Sequence, residues 1–294
     1  MLGKAAGTLL GVFALALVTR TLGPEGFGAY STINAFLQVF GVVVDFGLVL
    51  TTLTLVASPG ADIKKIFANL ITLRVVSACA VFVVAIMLAW VFPYAQEVKQ
   101  GIALLSISFF LITLNQILMG LFQKHLRMGT VVVAELTGRC VLLLGLTLAW
   151  GYSWGLFAVL LSVVAGTATH FLLMAQGARQ WVQFRFAWDY TVWRTIIARA
   201  WPVGVSIIFN LIYLHMGVVV LSLLKPSAEV GLYGAAFRVL EVVISVPMMV
   251  MGLILPMLVQ AWEQHNHLAF RAHLDRAMGI LAALGLPFAV GTYF

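Results

Sequence analysis

The chain has 294 residues, of which 63% are hydrophobic and 9% charged, against roughly 45 to 50% and about 25% in a soluble domain. That excludes a water-exposed globular surface and leaves lipid as the solvent, in which each helix must satisfy its own backbone groups. Two cysteines, Cys79 and Cys140, both within apolar runs, exclude a disulfide framework, and a net charge of +7 scattered over short connecting segments reads as orientation information, not as a nucleic-acid patch.

A helix needs about 20 apolar residues to cross about 30 Å of hydrocarbon. Breaks in apolarity therefore predict an all-α integral membrane fold with about eight spans, at 5–22, 29–56, 66–92, 100–123, 129–150, 154–178, 202–224 and 231–261, and part of a ninth from 276. Lys4, the apolar run after it and Ala14-Leu15-Ala16 imitate a cleavable signal. A retained first span keeps the alternation of every later loop, and is the reading taken. With the N-terminus cytoplasmic, eleven of the 17 Lys and Arg fall on inner segments, and Arg20, Lys99 and Lys225 on outer ones.

Span 1 ends in Pro24-Glu25-Gly26-Phe27-Gly28-Ala29-Tyr30, and span 7 closes on Pro226-Ser227-Ala228-Glu229-Val230-Gly231-Leu232-Tyr233. Both have Pro, then Glu, then a Gly-x-Tyr opening the next helix, with the tyrosines 203 positions apart. Six spans per unit would relate two parallel bundles about an axis along the membrane normal; the alternative is that Pro, Gly and Glu are simply common at turns. The repeat implies a six-span bundle at 1–179, an interfacial cytoplasmic linker helix at 180–201 and a partial second bundle at 202–294, cut short of an expected twelve spans. The linker carries Trp181, Trp188, Trp193 and Trp201 with Arg185, Arg194 and Arg199, a composition suited to the headgroup layer. Pro202 then sits early in the next helix.

Ionisable groups at bilayer depth are costly and mark functional candidates. Six stand out: Asp45 in span 2, Arg74 in span 3, Glu135 and Arg139 in span 5, and Arg238 and Glu241 in span 8. Glu135 and Arg139 are four residues apart and Arg238 and Glu241 three, so each pair is either self-neutralised or part of a cavity. Asp45 has no partner on its own helix, and Arg74 is one candidate cation for it. Arg20 reads as a helix C-terminal cation or a rim charge. His215, with Asn210 before it, reads as an interhelical hydrogen-bond partner or a proton relay. The His265, His267, Arg271, His273, Asp275 and Arg276 cluster reads as a solvated loop in preference to a site for a metal or an anionic headgroup. No nucleotide, hydrolase or metalloprotease fingerprint is present, and no enzyme activity, cofactor or metal is expected.

The stretch from Arg20 to Tyr30, then Asp45-Phe46-Gly47-Leu48, and later Val230 to Arg238 with Pro247 and Pro256, resembles the Wzx-type oligosaccharide flippases, the polysaccharide biosynthesis membrane proteins of the multidrug/oligosaccharidyl-lipid/polysaccharide exporter superfamily. The resemblance implies two six-helix bundles about a cleft. It also implies transport of a polyprenyl-pyrophosphate-linked oligosaccharide across the bacterial inner membrane by alternating access. Membrane lipids, that substrate and polysaccharide polymerase or glycosyltransferases are then the implied partners. Many relatives have an acidic residue about where His215 stands, which weakens any inherited cation site. Arg74, Arg139 and Arg238 would supply phosphate-binding cations, and Asn34, Gln38, Asn115, Gln116, Asn210 and Tyr213 would face sugar hydroxyls. A cation-coupled exporter and a non-transporting partner of polysaccharide assembly enzymes are the competing expectations.

Overall fold

The computed structural model describes residues 2–45, 48, 63–125, 127–182, 185–263 and 266–293, with α-helix as its regular structure. The first helix, α1, runs Leu2–Asp45, 44 residues broken by a non-helical Gly23 at φ 62, ψ −175. At 1.5 Å per residue it measures about 66 Å, twice the hydrocarbon thickness, so α1 comprises two arms. Only glycine adopts that φ without strain, and Pro24 starts the second arm where a missing N–H costs nothing. Residues 46–47 and 49–62, into which the expected second span continues, lie outside the described residues.

Four helices follow: α2 (Ile63–Val91), α3 (Gln96–Lys124), α4 (Met128–Gly151) and α5 (Gly155–Ala178). Their ends fall within four residues of the sequence expectation. Among the described residues, five segments are long and apolar enough to cross a membrane: Leu9–Asp45, Lys65–Val91, Gln96–Lys124, Met128–Gly151 and Gly155–Ala178.

Packing shows that α1 reverses at Gly23. In the first arm Gly7 and Gly11 lie against Glu135 and Arg139, near the start of α4. In the second arm Phe36 meets Tyr94, before the start of α3, edge-on at 6.1 Å, while Asp45 reaches Arg74 near the other end. One apolar core gathers Ile33, Leu37, Phe82, Ile102 and Leu160 toward the Tyr94 end, and another gathers Phe67, Leu121, Phe122, Val131 and Met174 toward the opposite end. Met87, Leu144, Leu161 and Leu172 face outward, as lipid-facing side chains do. Cys79 and Cys140 are both exposed free thiols.

Three more helices follow: α6 (Tyr190–Leu224), α7 (Ser227–Glu263) and α8 (His267–Tyr293). Two differ from expectation. The linker is not helical from Gln180; its helix starts at Tyr190, where the Asp189 carboxylate caps the N–H groups of Thr191 and Val192 at 3.1 and 3.3 Å. It then runs on through Pro202. Buried Ile196 and Ala200, packed with Leu70 and Leu73, hold the turns before Pro202 in place. The cluster expected as a solvated loop is largely helical, because the Asn266 side chain caps α8 by accepting from Ala269 N at 3.0 Å; His265 lies outside the described residues. The chain forms two compact units, Met1–Gly234 and Ala235–Phe294.

Candidate functional site

Within the first unit, Asp45 at the end of α1 meets its cation on α2. Arg74 Nη2 lies 2.9 Å from Asp45 Oδ1, and Arg74 Nη1 donates to the Val44 carbonyl at 2.7 Å. Gln116 Oε1 on α3 is 3.5 Å from the same Nη2. Arg74 is fully buried, and the Asp45 side chain is 18% exposed. Arginine suits this place because its fork can serve a carboxylate and a carbonyl at once. The pair ties three helices together, and Arg74 is enclosed by its partners.

The second pair is built differently. Glu135 Oε1 receives Arg139 Nε at 3.1 Å and Nη2 at 2.8 Å across one turn of α4, with side chains 36% and 35% exposed. They border a cavity of about 310 Å³ whose walls include Ile112, Leu142, Thr167 and His170. The floor is a close crossing of α4 on α5: a Cβ on Gly138 would stand 2.6 Å from the Gly166 carbonyl oxygen, and one on Gly166 2.7 Å from that of Gly138. Small residues at such a crossing let two backbones touch. On α1, a Cβ on Gly11 would come 3.0 Å from Arg139 Nη1, so bare glycine leaves the guanidinium its room. His170 Nδ1 is 3.4 Å from Asn115 Nδ2. His170 Nε2 and Asn115 Oδ1, both buried, have no hydrogen-bond partner among the described residues.

In the second unit Arg238 Nη1 bonds Glu241 Oε2 at 2.8 Å, with side chains 28% and 29% exposed. His215 is buried, with contacts of its own. Arg20 is exposed, three residues before the Gly23 break. The Asn210 and Tyr213 side chains lie outside the described residues. Asn34 is occupied by the Tyr30 carbonyl at 2.9 Å.

Two polar residues on α2 were not singled out from sequence. Fully buried Asn69 and Thr72 spend their donors on the Lys65 and Ala68 carbonyls, at 2.9 and 2.8 Å. Their oxygens then accept Asp189 N and Ala187 N, each at 2.9 Å. Lys65 Nζ adds an ion pair to Asp189 at 2.7 Å. That bond, then the Val192 N–H, holds the partly exposed Asp189 carboxyl below its ordinary value. The segment before α6 is thus bonded to α2, one turn from Arg74.

Residues 1–262 match the family of polysaccharide biosynthesis proteins. The chain belongs to that family. It is a multi-pass membrane protein of polysaccharide biosynthesis. No curated protein matches it. Its fold is similar to that of a solved structure described as the inward-facing conformation of a multidrug resistance MATE family transporter of the MOP superfamily, with a TM-score of 0.64 and 16% identity, over 97% of this chain and 69% of that one.

Proposed function

We propose that the protein is a Wzx-type flippase, moving a polyprenyl-pyrophosphate-linked oligosaccharide from the cytoplasmic to the periplasmic leaflet of the bacterial inner membrane by alternating access. The observation that carries this reading is the half-exposed Glu135–Arg139 pair beside a cavity, within a helix of membrane-spanning length, in a chain of this family. A pyrophosphate entering hydrocarbon needs cations in a polar recess, and arginine suits phosphate oxygens. Glu135 holds the Arg139 guanidinium in place across one turn of α4, and the half-exposed pair is open to exchange for phosphate. Arg238, paired in the same way, is a second contact. Arg74, closed in by Asp45 and Val44, positions helices instead.

The same proposal takes the topology as eight spans and part of a ninth with a cytoplasmic N-terminus. Residues 1–179 form one bundle, 180–201 a surface linker, and 202–294 part of a second bundle. Polymerase or glycosyltransferases of the same biosynthesis are its partners.

A cation-coupled exporter is the second reading. It is favoured by His170, which lines the same cavity as Glu135 with Nε2 unpartnered among the described residues, and by the similarity to a multidrug transporter. The two readings separate by mutation, with surface polysaccharide export read at matched protein level. The flippase requires loss of export in Arg139→Ala and retention in His170→Gln. The exporter reading requires drug efflux that fails in Glu135→Gln and His170→Gln.

A further inference from the structure

Gly28 and Gly231 open the two copies of the Gly-x-Tyr repeat, 203 positions apart, and they lie face to face. A Cβ on Gly28 would overlap the Ser227 carbonyl oxygen, and a Cβ on Gly231 would overlap that of Pro24. Ser227 follows Pro24 by the same 203 positions, so each overlap is the other with the copies exchanged. Ser31 and Gly234, again 203 apart, meet as well: a Cβ on Gly234 would sit 2.5 Å from Ser31 Oγ. Three sets of equivalent positions in mutual contact put a local two-fold axis between Gly28 and Gly231. Chance use of turn residues does not produce that reciprocity.

The contact is backbone against backbone, at the Tyr94 end of the first unit. Close by, Tyr94 Oη and Ser222 Oγ share a hydrogen bond of 3.1 Å. Such an interface rests on van der Waals contact and weak Cα–H···O interactions. Its buried Ser31 hydroxyl has no hydrogen-bond partner among the described residues, so water reaching it on separation would improve its state. The opposite end differs in kind, with the Asn69, Thr72 and Lys65 bonds to the segment before α6.

We propose that the Gly28–Gly231 contact is a clasp holding the equivalent starts of the second arm of α1 and of α7 together, and that it parts when the protein opens its interior at the Tyr94 end. The inference rests on the transport reading above. Packing tight enough to exclude a methyl group makes the closed arrangement definite, while the scarcity of polar bonds keeps it releasable. Any Cβ at either glycine forces the backbones apart by about 1 Å, which close packing does not absorb, and biases the protein toward opening.

The test uses the protein in native membranes, in a Cys79→Ala/Cys140→Ala background, with buried Val218→Cys on α6 as reporter for a membrane-impermeant maleimide. Gly28→Ala and Gly231→Ala each raise its labelling rate about tenfold, the size expected of a modest population shift. The double variant labels no faster than the faster single, since both remove one contact. Gly138→Ala, at the close α4–α5 crossing, leaves labelling unchanged. Labelling unaffected by either clasp glycine, or raised equally by Gly138→Ala, overturns the proposal. Should the alanine variants not fold, spin labels at exposed Glu25→Cys and Leu232→Cys test it with both glycines intact: two distance populations in bilayers support the clasp, and one narrow population overturns it. Neither readout involves oligosaccharide, so a clasp that opens in a protein exporting none refutes the substrate and leaves the clasp standing.

Discussion

Replacing Asp45 with leucine leaves the Arg74 guanidinium fully buried with its carboxylate gone. The Val44 carbonyl and the distant Gln116 oxygen remain, but neither carries charge. Removing one partner of a buried ion pair costs about 3 to 5 kcal/mol, because the survivor is an uncompensated charge, whereas replacing both with apolar groups of similar volume is often close to neutral. Asp45→Leu should therefore lower the unfolding free energy in mixed micelles by about 3 kcal/mol or more. Adding Arg74→Met should recover most of that loss. A single variant within about 1 kcal/mol of the parent, or a double variant no better than the single, would refute the view that this pair acts as a mutually dependent unit.

Other consequences concern the linker, the cavity and pH. Asn69→Ala and Thr72→Ala each strip a partly buried N–H of its acceptor, a loss of about 1 kcal/mol, and should speed tryptic cleavage at exposed Arg185 while leaving the rest of the chain protected. Gly166→Val should abolish transport by prising α4 from α5, whereas Gly129→Val, with nothing within 4 Å of the new Cβ, should not; polysaccharide export at matched protein level checks both. Because the folded state depresses the Asp189 carboxyl, the stability it lends is present above its ordinary value and is lost only as pH falls through the depressed one. Fluorescence of Trp188 and Trp193 should stay flat from neutral pH down to the ordinary carboxylate range, and Lys65→Met should move the acid transition upward. A transition at neutral pH would contradict that assignment.

Helix placement was largely legible because apolar length is imposed by the membrane and shows in any window of about 20 residues. The α6 start was not, since Trp- and Arg-rich composition marks a headgroup-level segment without saying where its backbone coils; the Asp189 cap decides that. The Asn266 cap ahead of α8 was readable in principle but was outweighed by the charge cluster around it. Pairs on one helix, Glu135–Arg139 and Arg238–Glu241, follow from spacing alone. Asp45–Arg74 needed an interhelical guess, and the Asn69 and Thr72 contacts, over 100 positions from their donors, had no local signal beyond two polar residues on one face of an apolar helix. The Gly-x-Tyr repeat was visible as a pattern, but only packing shows its copies touching.

Flipping can be measured directly by reconstituting the protein in liposomes with a fluorescent polyprenyl-pyrophosphate oligosaccharide and following its passage between leaflets by quencher protection. Passage should run well above that of protein-free liposomes, with about tenfold or greater loss in Arg139→Ala, as expected when a charge-assisted phosphate contact is removed. Passage equal to the protein-free control, in a preparation that drives cation-coupled efflux of a drug, would contradict the proposed flippase.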